Sequence, residues 1–434
     1  MVKPLGIGLI GCGTVGSGVA RLLLEQSDRL AARAGRPLVL RRVVVRDPDK
    51  ARSVAIPRGL VTKDLRSILA DPEIEVAVEV VGGVDWACKA VLELLAAGKH
   101  VVTANKAMLA QHGDEVFATA RKHKRTVAFE ASVGGGIPII GALSHGLSAN
   151  QIYALQGILN GTSNFILTNM SEEGQTYKKA LAEAQKLGYA ELDPTLDVDG
   201  TDAAHKLAIL AQIAFGITVP FEAIERRGIA NLHQMDFRYG KDLGYTFKLL
   251  AEAWLNDRQL ALHVSPVLVR RQAPLALIRG AYNAIQVFGD AVGDTLYCGQ
   301  GAGQMPTASA VVADIVDLAV GRAQLTFQTL RLWCGETNGI RLRPTTTVPT
   351  RFYLRILVED HPGVLAEVAT ILARHKVSIA SVIQPEAPDD HDGASVPLVI
   401  MTHTVPTGSF QAAFAEIDRL SCVSSPGAYF PVAD

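Results

Sequence analysis

Long apolar runs are missing from this chain. None reaches the roughly 18 residues a membrane span requires, so no membrane association is expected. An excess of one charge is missing too: 42 Lys and Arg stand against 43 Asp and Glu, for a net charge of −1. Without a basic block, nucleic acid and anionic lipid are not expected as partners. Cysteine is scarce. The five residues at 12, 88, 298, 334 and 422 are odd in number and show no CxxC and no metal-ligand spacing. That excludes a disulfide framework and points to a reducing, cytoplasmic setting. The opening MVKPLGIGLIGCG runs straight into a strand pattern and carries no signal-peptide cleavage pattern. Repeats of fixed period and low-complexity tracts are absent, which argues against a solenoid.

What is present is an ordinary globular composition, 48% apolar and 20% charged over 434 residues, enough for two or three domains. Leu5 to Ile10 reads as a strand, followed by Gly11-Cys12-Gly13-Thr14-Val15-Gly16 and a helical pattern from Val15 to Leu30. Valine-rich Leu38 to Val45 is a second strand. Alternation continues through a helix at Leu65 to Leu69, a strand at Val76 to Val81 and a helix at Trp86 to Ala97. It goes on with a strand at His100 to Thr103, a helix at Asp114 to His123 and a strand at Val127 to Phe129. The fold class this implies is α/β, with a Rossmann-type doubly wound parallel sheet over residues 1–139. Residues 140–302 read as a mixed α+β substrate and dimerisation domain, with 303–330 packing back on the first domain. A linker is expected at 335–350 and a small separate domain at 351–434.

GxGxxG alone is a weak signal, but here it follows a strand and opens a helix. Gly11 then makes the tight turn, Gly13 admits a pyrophosphate, and Gly16 lets the helix approach the strand. Thr14 and Val15 present N–H groups at the helix N-terminus. At the end of the second strand, Arg46 with Lys50 favours the 2′-phosphate of NADP, while Asp47 leaves NAD open. Thr103-Ala104-Asn105-Lys106 follows a strand at the ligand-binding edge of such a sheet. Gly299 to Thr307, including Gly303, is a second glycine turn that can close over the cofactor.

Three further stretches carry chemistry. Glu130-Ala131-Ser132-Val133-Gly134-Gly135-Gly136-Ile137 exposes carbonyls beside a carboxylate, a donor set for a sodium or potassium ion; it serves equally as a hinge. Gly157-Ile158-Leu159-Asn160-Gly161-Thr162 is a polar turn suited to an amino acid's polar groups. LGYAELDPTLDVDGTDAAHKLAIL places Tyr189, Glu191, Asp193, Asp197 and Asp199 in an acidic loop. Asp202 and Lys206 follow, four apart on one helical face. A solvated loop with one helix salt bridge is the bland reading of that stretch. A lysine among carboxylates can also hold a substrate or pass a proton to a developing alkoxide.

Taken in order, TANKA, EASVGGGIPII, GILNGTSNFIL, the long acidic block and GQGAGQMPTASAVVADI resemble the motif series of the homoserine dehydrogenases, over about residues 5 to 330. The resemblance implies NAD(P)H-dependent reduction of L-aspartate 4-semialdehyde to L-homoserine, on the route to threonine and methionine. By position it makes Lys106 and Lys206 the active-site lysines and Asp202 the partner of the second. Glu191 and Asp197 become substrate contacts, with Gly157, Asn160, Thr162, Tyr189 and Lys106 as further substrate-side candidates. Cofactor candidates are Gly11, Gly13, Thr14, Val15, Gly16, Arg46, Lys50, Thr103, Lys106 and Gly303. Glu130 with Val133, Gly135 and Ile137 matches the family's sodium-type site.

The tail's strand–DHPG–helix pattern, through Asp360, Gly363 and Leu365, resembles a ferredoxin-like ACT domain. That implies threonine as an effector; assembly alone is the other use of such a module. A homodimer or homotetramer is expected, because mixed middle domains and ACT modules tend to pair. An aspartate-semialdehyde dehydrogenase would need a cysteine nucleophile, and Cys12 and Cys88 are not so placed. A phosphoglycerate-type enzyme would need a histidine with a carboxylate, and His205 faces away from Asp202 and Lys206. A non-catalytic sensor would not need both lysines.

Overall fold

The computed structural model describes residues 2–334, 339–385 and 395–433. The chain forms two compact units. One comprises Met1–Leu155, Ala204–Ile224 and Tyr282–Ile340; the other comprises Gln156–Ala203, Glu225–Ala281 and Arg341–Asp434.

In the first unit six strands form a parallel sheet, ordered Val61–Thr62, Leu38–Val44, Leu5–Ile10, Ile74–Glu79, His100–Thr103, Val127–Ala128. All six residues of Leu5–Ile10 are buried, as a strand covered on both faces by helices requires. The helix Gln304–Val320 returns to this sheet, and Ala308, Val311, Ile315 and Leu318 share one core with Ile7, Leu9, Val19 and Leu23. The helix Thr14–Glu25 meets it so closely that a Cβ on Gly18 would lie 2.9 Å from the Ala308 Cβ. Phe117, Phe129, Phe327 and Trp333 form an aromatic cluster. Arg121 fastens it by donating to Leu332 O at 2.7 Å and Trp333 O at 2.6 Å.

Burial depresses the His100 imidazole from its usual 6.5 to about 4, and its Nδ1 accepts from Thr126 N at 3.1 Å. A base whose folded pKa lies below its unfolded value adds stability above the unfolded value, and loses it as pH falls toward the folded one. The melting temperature should therefore fall more steeply from pH 6.5 to 4 in the wild type than in His100→Asn. Parallel profiles would contradict this.

In the second unit Tyr245–Asn256 and Gln259–Arg270 make a long antiparallel hairpin. Its turn residues Asp257 and Arg258 both have positive φ (48° and 59°), the conformation that matches strand twist. The C-terminal part is a ferredoxin-like βαββαβ domain. Its elements are Pro349–Glu359, Val364–Arg374, Ile379–Ile383, Ser395–Thr402, Thr407–Ile417 and Val423–Ala433. The last strand lies beside the first, followed by the fourth and third elements' strands, Ser395–Thr402 and then Ile379–Ile383, all antiparallel. Phe352, Ile356, Val368, Leu372, Ile400 and Phe410 belong to its own core.

The domain is not free of the rest of the unit. Its final strand pairs in parallel with the hairpin at Leu268↔Val432 and Val269↔Ala433. Asp236 on the helix Gln234–Asp242 accepts from Arg355 Nε at 2.6 Å and from Tyr353 OH at 3.0 Å. Within the expected linker, residues 335–338 lie outside the described residues. Arg341–Leu342 pairs with the hairpin strand and Thr345–Thr347 makes a 3-10 turn. Among the described residues, no helix is long and apolar enough to cross a membrane.

Candidate active site

The glycine turn at the carboxyl end of the first strand opens into a cavity of ≈ 1270 Å³. Gly11 has φ +94°, and a Cβ there would meet Val80 O at 2.8 Å. A Cβ on Gly16 would lie 2.1 Å from Gly11 O, so the helix can approach the strand only without one. Nothing lies within 4 Å of a Cβ position on Gly13, which leaves its backbone open on the cavity side. Thr14 begins the helix, and its carbonyl accepts from Gln304 Nε2 at 3.0 Å. Val15 is not among the residues that line the cavity, and its side chain packs on the core.

Arg46 and Lys50 line this cavity, as do Asp47, Arg52 and Lys63. Sequence reasoning missed Arg52 and Lys63. Arg52 also orders the loop by donating to Asp47 O, Pro48 O and Lys50 O. Four cations against one carboxylate make the rim electropositive, as phosphate recognition demands. Gly303, with φ +122°, begins the Gln304–Val320 helix, whose first residue lines the same cavity.

Thr103 is fully buried and does not line the cavity. Its hydroxyl donates to Glu79 Oε2 at 2.7 Å and accepts from Asn105 N at 3.0 Å. Asn105 then caps the next helix, accepting from Met108 N at 3.1 Å and donating to Gly83 O at 2.7 Å. This network sets Lys106 at the first position of the helix Lys106–Lys122. The helix dipole disfavours a cation there, so the position favours an anionic ligand over stability.

In the Glu130 loop, the carboxylate accepts from Ile140 N at 2.9 Å and Gly141 N at 2.8 Å. Burial pushes it up to about 7, despite those two bonds. Asp314, itself buried and pushed well up, accepts from Glu130 N at 2.9 Å. Gly135 has φ +43°, and a Cβ on it would meet Gly301 O at 2.7 Å. Ile137 O accepts from Ile139 N at 2.8 Å and keeps a second lone pair. Backbone oxygens beside a buried carboxylate make a donor set that fits a monovalent cation.

The acidic loop is organised by Asn160. Its Oδ1 caps the helix Gly161–Glu172 by accepting from Ser163 N at 2.8 Å. Its amide then donates to Asp197 Oδ1 at 2.8 Å and to Asp202 Oδ2 at 2.9 Å. One buried amide thus holds two carboxylates together. Ser163 Oγ donates to Asp197 O at 2.7 Å, and Thr162 Oγ1 donates to Tyr189 O at 2.7 Å. The loop is therefore stitched to that helix from both ends. Tyr189 is half exposed with its ring against Phe165, and Gly157 is buried inside the strand Ile152–Ile158. Asp193 and Asp199 cap locally, each accepting from a backbone N–H two residues on. Glu191 is exposed, and its carboxylate lies outside the Asn160 cluster.

Asp202 and Lys206 are both buried and stand one turn apart on the helix Thr201–Phe215. His205, between them in sequence, stacks on Phe221 with ring centroids 4.3 Å apart. The regulatory candidates lie on the turn from Pro349–Glu359 to Val364–Arg374. Asp360 accepts from Gln384 at 3.3 Å, Gly363 has φ +104°, and Leu365 is exposed.

Three family models match the chain: homoserine dehydrogenase over residues 138–316, the homoserine dehydrogenase NAD binding domain over 11–130, and the ACT domain over 352–422. The homoserine dehydrogenase of Pseudomonas aeruginosa is 45% identical over 434 residues, covering 98% of each chain. The crystal structure of a homoserine dehydrogenase from Thiobacillus denitrificans superposes with a TM-score of 0.92 at 42% identity, over 100% of this chain and 99% of that one. A hyperthermophilic archaeal homoserine dehydrogenase, solved in complex with NADPH, has a TM-score of 0.60 at 28% identity, covering 72% of this chain and 97% of that one. With a nucleotide-binding sheet, a clamped pair of acids and an ACT tail in the same order, the chain belongs to the homoserine dehydrogenase family of oxidoreductases.

Proposed function

We propose that the chain reduces L-aspartate 4-semialdehyde to L-homoserine with NADPH, supplying homoserine for threonine and methionine synthesis. The observation that carries this reading is the Asn160 amide holding Asp197 and Asp202, with Lys206 one turn beyond. When bound, NADPH supplies the hydride that forms the new C–H bond at the aldehyde carbon. Lys206 donates the proton to the oxygen on which charge develops. Asp202 holds Lys206 in its charged form. Asp197, with Glu191 from the same loop, takes the substrate ammonium, and Lys106 takes its carboxylate or polarises the carbonyl.

NADPH is favoured over NADH by Arg46, Lys50, Arg52 and Lys63 around the cavity, against the lone Asp47. In the cytoplasmic setting proposed here, all five cysteines are free thiols. The ACT domain is proposed to sense threonine, in a homodimer or homotetramer.

The test runs the reaction backwards. L-Homoserine should reduce NADP more efficiently than NAD. 4-Hydroxybutyrate, which lacks the ammonium, should lose at least about 10²-fold in kcat/KM. Equal use of both alcohols would contradict the role of the acidic cluster.

The Glu130 loop is proposed to hold sodium or potassium through Glu130 and the carbonyls of Val133, Gly135 and Ile137. At pH 8, sodium chloride should raise the melting temperature by about 2 °C or more over tetramethylammonium chloride of equal ionic strength. Glu130→Gln should abolish that difference. Identical melting of the wild type in both salts would refute the site.

A further inference from the structure

One edge of the strand Gln259–Arg270 is paired throughout with Tyr245–Asn256. The other edge is shared by three short partners in turn. Arg341–Leu342 pairs at Gln259 and Leu260, Glu225–Arg226 at His263 and Val264, and the final strand at Leu268 and Val269. Between the second and third partners no strand among the described residues pairs with the edge, and Ser265 sits there. The residue is 5% exposed, and its hydroxyl has no hydrogen-bond partner among the described residues. A buried hydroxyl without a partner is destabilising, and a ligand that hydrogen-bonds to it relieves that.

Ser265 lines a cavity of ≈ 60 Å³ between this strand and the ACT domain. At roughly 10–15 Å³ per water, that is room for a molecule of a few non-hydrogen atoms. Glu225 and Arg227 also line it, side by side, with Arg227 Nη2 3.4 Å from Glu225 Oε1. Arg227 lies over the ring of Tyr429, 4.2 Å from its centroid, and donates to the Tyr429 hydroxyl. Those bonds use Nη2 alone, so the remaining guanidinium donors are available to a carboxylate. Val348 and Phe352 from the ACT side give the cavity an apolar wall.

A cation and an anion side by side, an unpartnered hydroxyl and an apolar wall match one small molecule class. We propose that this cavity binds a small L-α-amino acid: its carboxylate on Arg227, its ammonium on Glu225, and its side chain toward Ser265. This rests on the reading of the ACT domain as an amino-acid sensor, and it places the site away from the Asp360–Gly363 turn.

The cavity wall is joined to the acidic loop through the backbone that follows Arg227. Arg227 N donates to Val264 O at 2.8 Å, and two residues on Ile229 N donates to Val198 O at 2.9 Å. Gly228 packs so tightly on this loop that a Cβ there would lie 2.3 Å from Val198 O. Val198 to Gly200 is the segment between Asp197 and Asp202. A ligand that repositions Arg227 therefore acts on the backbone that carries both clamped carboxylates.

The test is isothermal titration calorimetry of the full chain with glycine and the smallest L-amino acids, alanine, serine and threonine. Wild type is compared with Arg227→Gln, Ser265→Val and Asp360→Asn, each checked for an unchanged circular dichroism melt. One amino acid should bind the wild type, bind at least about 10-fold more weakly to the first two variants, and bind Asp360→Asn as it binds the wild type. It should also raise the KM for the semialdehyde. The site is refuted if no amino acid binds, if binding survives both cavity variants, or if binding is lost only in Asp360→Asn. Binding at the cavity without any change in KM or kcat would uphold the site and refute the sensor reading instead.

Discussion

Replacing Lys206 by alanine is expected to lower kcat by at least about 10²-fold, the usual cost of losing a positioned proton donor. The helix should survive the change, since alanine is the best helix former and the turn around Lys206 is already apolar. The loss should appear in kcat more than in KM. The proton moves only as the hydride arrives, so the interaction belongs to the transition state. Asn160 sharpens the expectation. Its amide fixes Asp202 at 2.9 Å, so the carboxylate proposed as the partner of Lys206 is already held in place. Near-normal turnover in Lys206→Ala, with an intact circular dichroism melt, would remove Lys206 from this role and leave Lys106 as the donor.

Asp236→Ala is expected to destabilise the protein by about 3–5 kcal/mol, the cost of leaving one member of a buried pair uncompensated. The Asp236 side chain is 0% exposed and that of Arg355 5%. Asp236 also accepts from Tyr353 OH, and from His233 N at 2.9 Å, where it closes the capping box of its helix. One substitution thus strands a guanidinium, a phenol and a helix N-terminus together. Substituting Asp236→Leu with Arg355→Met should recover most of the loss, since apolar residues of similar size can replace such a pair. Urea midpoints of the three proteins check this. A loss below about 1 kcal/mol in Asp236→Ala would mean that the pair does not anchor the ACT domain.

The parts of this fold legible in the sequence are those where backbone geometry demands a residue type. Gly11 and Gly363 stand at positive φ, and the turns they make were readable without a structure. The helix bearing Asp202 and Lys206 was also readable, because its apolar face has helical spacing. Elements set by tertiary contacts were not. The strand Tyr245–Asn256 is rich in leucine and alanine, residues with no strand preference, and its pairing with Gln259–Arg270 overrides that.

The stretch from Gly161 reads as a polar turn because glycine, threonine and serine are poor helix formers; the Asn160 cap makes it a helix. The helix read from Asp114 begins at Lys106, and the kink at His112 hides its first turns. The final strand Val423–Ala433 was missed because Pro426 and Gly427 interrupt it, where its register shifts.

Within the site, the acids were visible but their organiser was not. Spacing along the loop cannot show that one amide reaches both Asp197 and Asp202, residues 37 and 42 positions away from it. Nor can it show that Glu191 stays exposed, or that Thr103 turns inward to Glu79. Arg52 and Lys63 were missed for a related reason: they approach the phosphate turn only because the loops after the second and third strands fold toward it.

The most direct test of the central claim is the stoichiometry of the forward reaction. Purified protein is given L-aspartate 4-semialdehyde and NADPH, with cofactor followed by absorbance and product by chromatography. One L-homoserine should form for each NADPH consumed. No consumption of NADPH, or consumption without homoserine, would contradict the account.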